Sequence, residues 1–98
     1  MRLTPYETQA IRNGFTEVFN GGKIILFGSR VDDDQKGGDI DLYLVLDQDL
    51  QPMELQDKKL DFLVRIKKLI GDQKIDVVVA RDPQRLIEQE ALTTGVSL

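Results

Sequence analysis

Three aspartates in this sequence stand where a soluble protein seldom places charge. Asp39 and Asp41 flank Ile40 at the start of an apolar run, and Asp76 interrupts another between Ile75 and Val77. Side chains alternate faces along a strand, so Asp39 and Asp41 share one face while Ile40 and Leu42 take the other. Like charges side by side repel, and the arrangement costs stability unless something cationic lies between them. If the two runs form neighbouring strands, three carboxylates meet on one patch, and all-oxygen donors favour hard cations such as Mg²⁺. The Asp-x-Asp spacing alone is weak, because twelve Asp in 98 residues produce about one such pair by chance. Asp32/Asp34 and Asp47/Asp49 share it, but one lies in a Gly- and Asp-rich loop and the other follows a strand end, where Asp serves turns and solvent. Any one strand-end Asp is equally compatible with a solvated edge.

The second chemical feature is Gly28-Ser29, at the end of the run Lys23-Ile24-Ile25-Leu26-Phe27. A strand ending in Gly then Ser offers backbone N–H groups and a hydroxyl to a phosphate, and Gly lets the phosphate approach the backbone closely. Alone, the dipeptide reads as an ordinary strand-to-helix turn. Arg30 can hold a phosphate oxygen or stand on the surface, and Lys36 has a weaker claim. An EF-hand reading from Asp32 fails, with Lys36 at its fifth position and Tyr43 at its twelfth. Neither GxxxxGK[ST] nor GxGxxG occurs.

These residues need a scaffold, and the hydrophobic periodicity supplies one. Thr4, Pro5 and Glu7 form a helix start with a capping box, and Tyr6, Ala10, Ile11, Phe15, Val18 and Phe19 follow at helical spacing until Gly21-Gly22 ends the helix in a left-handed turn. The run 23–27 reads as a strand buried on both faces. A short helical turn and a polar stretch, Val31 to Gly38, lead to a second strand, Asp39 to Leu46. Leu55, Phe62, Leu63, Ile66, Leu69 and Ile70 mark one face of a long helix ended by Gly71, with Asp61 and Arg65 spaced as an i,i+4 pair on its solvated side. Ile75 to Ala80 is a third strand, and Asp82-Pro83 starts a final helix containing Leu86, Ile87 and Ala91. The expected architecture is α/β (α+β), a small mixed sheet of three to four strands packed with helices, with residues 1–98 as a single domain.

Composition narrows the function. The chain has no Cys and no His, so disulfides, thiolate or imidazole ligands and the usual general base are excluded. Its 13 Lys+Arg against 17 Asp+Glu give a formal charge of −4, the wrong sign for gripping duplex DNA. The longest apolar run, Leu42 to Leu46, is far short of the ~20 residues that span a bilayer. Met1 to Pro5 has no signal-type apolar core, and the reading is of a soluble cytoplasmic protein.

The combination Leu26-Phe27-Gly28-Ser29-Arg30, then Asp39-Ile40-Asp41-Leu42, then Asp76 on a later strand resembles the DNA polymerase β-type nucleotidyltransferase superfamily. More narrowly it is similar to the minimal nucleotidyltransferases, short antitoxin-like partners of HEPN-domain proteins. The resemblance covers nearly the whole chain, including Gly95-Val96-Ser97-Leu98 at its end. It implies a polymerase β-like fold and these roles: Gly28, Ser29 and Arg30 at the triphosphate of ATP or another NTP, and Asp39, Asp41 and Asp76 as catalytic ligands of two Mg²⁺ ions. The implied reaction moves a nucleoside monophosphate, typically AMP, onto a hydroxyl, here a tyrosine of a HEPN toxin, with pyrophosphate released. Many relatives continue Gly-Ser-Arg with Ala-Arg-Gly, whereas this chain has Val31-Asp32-Asp33-Asp34, three acids that weaken nucleotide binding unless they point to solvent. The alternative is a catalytically weak or inactive antitoxin that neutralises its partner by occlusion, as a homo- or hetero-oligomer.

Overall fold

The computed structural model describes residues 3–28 and 39–98. The expected helical turn after Gly28 and the polar stretch Val31 to Gly38 lie outside these residues. Helix α1 runs over Pro5–Phe19 and strand β1 over Gly22–Phe27; β2 spans Ile40–Leu46, α2 Pro52–Ile70, β3 Ile75–Val79, α3 Leu86–Thr94 and β4 Val96–Ser97. The four strands form one mixed sheet in the order β3-β2-β1-β4. β1 pairs antiparallel with both β2 and β4, and β2 pairs parallel with β3.

The capping box at the start of α1 is complete. Thr4 Oγ1 accepts from the Glu7 backbone N–H at 3.1 Å, and Glu7 Oε1 accepts from the Thr4 N–H at 2.9 Å. The residue that turns left-handed at the other end is Asn20, at φ 62°, one position earlier than the expected Gly21. Asn tolerates this region because its short polar side chain costs little there. In α2 the periodic positions Phe62 and Ile66 are fully buried, while Leu69 is 51% exposed, as is Tyr6 of α1 at 60%.

The two faces of the sheet are packed unequally. On one, Ile24, Leu26, Ile40, Leu42, Leu44 and Ile75 meet Ile11, Phe15, Val18 and Phe19 of α1 and Phe62 and Ile66 of α2. Phe62 is the keystone of this layer, its ring 6.3 Å from Phe15 and 5.8 Å from Phe19, both edge-on. On the other, Phe27 and Tyr43 pack against Ala91 of α3, with Ile25, Val45, Val78 and Ala80 around them. One nine-residue helix therefore covers a face that extends over three strands.

The final helix starts later than its sequence suggests. Asp82 Oδ1 accepts from the Gln84 N–H at 3.0 Å, closing a local turn, and Arg85 occupies the cap position. Leu86 is 84% exposed; in its place the helix buries Glu88 and Ala91. The fourth strand of the expected three to four is β4, at a place the periodicity does not mark: the Leu98 N–H donates to the Ile24 carbonyl at 2.9 Å, clipping the chain to β1. Among the described residues no helix is long and apolar enough to cross a membrane.

Candidate active site

Strand pairing brings distant carboxylates to one place. In the parallel ladder Asp41 stands opposite Asp76, and in the antiparallel ladder the same Asp41 stands opposite Phe27. Residues opposite one another in a ladder project from the same face. Asp41 and Asp76 thus emerge beside Phe27 and Tyr43, on the face covered by α3. Asp39 lies one residue before β2 begins and continues the alternation onto that face.

Gly28 abuts the same carboxylate. Its φ is +79°, and a Cβ added there would collide with the Asp41 Oδ2 oxygen. Both facts require glycine, and together they place a backbone turn directly against Asp41. Ser29 and Arg30, expected to extend that turn toward a phosphate, lie outside the described residues.

The electrostatics follow from this crowding. The Asp41 carboxyl is raised above its ordinary value, first by burial and then by the charges of Asp76, Asp39 and Glu90, with Lys74 opposing. Such a patch gains from a cation. Lys74 supplies one, its Nζ 3.5 Å from Asp39 Oδ2, on a lysine 69% exposed. Hard oxygen donors on one face, mutual repulsion and a backbone free of Cβ fit a divalent ion and a phosphate chain. The expected meeting of three acids is realised as a shared face, but among the described residues no three such side chains are drawn into an ion-sized cluster. Like charges spread apart, and Asp39 turns to Lys74.

Three contributors were not anticipated from sequence. Lys74 stands two residues before Asp76, so strand alternation could have flagged it. Glu90 reaches the patch from α3, where nothing in the helical pattern distinguishes it from a solvated acid. Glu88 is fully buried. Its carboxylate accepts from the Tyr43 hydroxyl at 2.7 Å, from the backbone N–H groups of Arg81 and Asp82 at 3.1 and 2.9 Å, and from Arg85 Nη1 at 3.1 Å. Burial opposes its charge, yet the hydrogen bonds from Asp82, Tyr43 and Arg81 and the Arg85 charge outweigh burial and hold the carboxyl below its ordinary value. The same contact, with burial the larger cause, pushes the Tyr43 phenol up to about 12. Glu88 thereby ties α3 to the strand that carries Asp41.

A groove of about 770 Å³ lies elsewhere. It is lined by Val45 to Leu50, Ala80, Arg81 and Leu92, beyond the opposite ends of β2 and β3 from the acids. It shares Tyr43 with the acidic face. Location of the chemistry rests on the strand carboxylates and the Gly28 turn beside them, which this groove does not include.

Comparison with known families agrees with this geometry. The family model for polymerase beta nucleotidyltransferases matches residues 9–98. No curated protein matches the chain. The match spans β1, the Gly28 turn and all three aspartates, and on it the chain belongs to the polymerase beta nucleotidyltransferase family.

Proposed function

We propose that residues 1–98 act as one minimal nucleotidyltransferase domain that moves AMP from ATP to a hydroxyl of a partner protein, a tyrosine of a HEPN-type toxin, and so serves as an antitoxin in the cytoplasm. The observation that carries the reading is the in-register pair Asp41 and Asp76 beside the Cβ-free turn at Gly28.

In this reading Asp39, Asp41 and Asp76 would hold the magnesium ions, which would supply charge neutralisation for an in-line displacement. Gly28 lets the triphosphate lie against the backbone, with Ser29 and Arg30 contributing a hydroxyl and a guanidinium. Asp76 orients the acceptor hydroxyl and draws off its proton. A bond forms between the acceptor oxygen and the α-phosphorus, the bond from that phosphorus to the bridging oxygen breaks, and pyrophosphate leaves. The mutual repulsion at Asp41 means that binding cations relieves strain already present in the fold.

The test is labelling of the partner with α-³²P ATP and Mg²⁺. Asp41→Asn and Asp76→Asn are each expected to lower labelling at least a hundredfold with unchanged circular dichroism. Undiminished labelling in both variants sinks the proposal. The Lys74 contact to Asp39 favours a second reading, in which the acids are neutralised within the chain and the protein silences its partner by occlusion. Under it, the same Asn variants still protect cells from the toxin.

A further inference from the structure

β3 is a terminal strand of the sheet, and among the described residues no strand pairs with its outer edge. Ile40 N–H donates to the Lys74 carbonyl and Ala80 N–H to that of Leu44, so the even-numbered residues of this segment turn their backbone groups toward β2. Ile75, Val77 and Val79 therefore direct their N–H and C=O groups outward. Of the devices that blunt natural edge strands, Ile75–Val79 carries one inward charge, Asp76, and neither Lys nor Pro nor a bulge. A groove of about 340 Å³ follows this edge, lined by Val77 to Arg81, by Leu55 and Lys59 of α2, and by Arg85. In a chain of charge −4, this groove is cationic. Arg85 is engaged with Glu88, whereas Lys59 and Arg81 make no ion pair among the described residues.

We propose that this edge is the docking site for an extended, acidic segment of a partner protein, which adds to β3 as a fifth strand with its carboxylates on Lys59 and Arg81. The recognition combines main-chain hydrogen bonds with charge. A strand so placed has a residue opposite Asp76 with its side chain on the acidic face, roughly 5 Å away. Arg81 lies five residues further on in sequence, two past the end of β3. The segment therefore carries a hydroxyl residue about five positions from its acids, and the hydroxyl arrives beside Asp76. That last step rests on the transfer reading above; the docking does not.

The probe is a fluorescein-labelled twelve-residue peptide of alternating valine and serine with three glutamates at one end, made in both chain directions, with lysines replacing the glutamates as control. Binding is read by anisotropy without nucleotide, and backbone exchange by NMR. The expected result is at least tenfold tighter binding of a glutamate peptide than of its lysine control. Exchange should slow at Ile75, Val77 and Val79 and stay unchanged at Asp76 and Val78. Val79→Pro, which removes one outward donor and spares the inner ladder, and the double charge reversal Lys59→Glu with Arg81→Glu should each weaken binding tenfold or more. Equal affinity for both peptides, unprotected β3 amides, or indifference to both variants overturns the proposal. So does concentration-dependent dimerisation abolished by Val79→Pro, which would make a second copy the occupant. A peptide with tyrosine in place of the serine opposite Asp76 that binds but accepts no AMP leaves docking intact and counts against the transfer reading.

Discussion

Gly28 and Asp41 constrain each other. The positive φ and the carboxylate packed where a side chain would begin leave no room for even a methyl group. Gly28→Ala should cost about 1–3 kcal/mol, read as a lower urea midpoint, and should reduce ATP-dependent labelling more than its stability loss explains. A substitution that lowers stability but leaves labelling intact would separate the turn from the chemistry. Asp39, Asp41 and Asp76 were legible in the sequence because charge inside an apolar run is anomalous. Glu88 was not, since a Glu on a helix ordinarily points to water, and its four donors come from Tyr43, Arg81, Asp82 and Arg85, whose convergence only folding produces.

At the level of elements, α3 is held by that one buried acid and by Ala91. The depressed carboxyl of Glu88 binds fewer protons folded than unfolded at acid pH, so its contribution is complete above the ordinary value of 4.5 and is lost as pH falls through the lower folded value. Glu88→Gln should cost about 2 kcal/mol at pH 7 by leaving donors unmatched, and should flatten the loss of stability below pH ~4.5. Denaturant midpoints at pH 7 and pH 4 check both. α1, β1, β2, α2 and β3 were readable because each repeats its apolar residues at its own period for a turn or more. β4 has only Val96 and Ser97, too few for a period, and its existence depends on the waiting edge of β1. The start of α3 was misplaced because Asp82-Pro83 has the chemistry of a helix start and of a free-standing turn alike.

For the whole molecule, the two faces of the sheet divide the labour. The side packed by α1 and α2 provides the stability, with Phe62 touching both helices' aromatic cluster. Phe62→Ala should cost about 3–5 kcal/mol and lower the melting temperature in a single transition, because the small cluster on the α3 side is built on the same strands and has nothing of its own to stand on once they come apart. Two resolved calorimetric transitions would contradict that view. The thinly covered side is correspondingly free to carry charge.

The alignment of Asp41 with Asp76 across the parallel ladder has an evolutionary corollary. A strand's facing is a matter of parity, so losing or gaining one residue between Gly71 and Lys74 would swing Asp76 into the oily layer against α2 and bring a valine out in its stead. Of the four linking residues Asp72 is the freest to vary, since Gly71 turns at a positive φ, Gln73 bonds Glu7 and Lys74 holds Asp39. Their number is what selection has to defend.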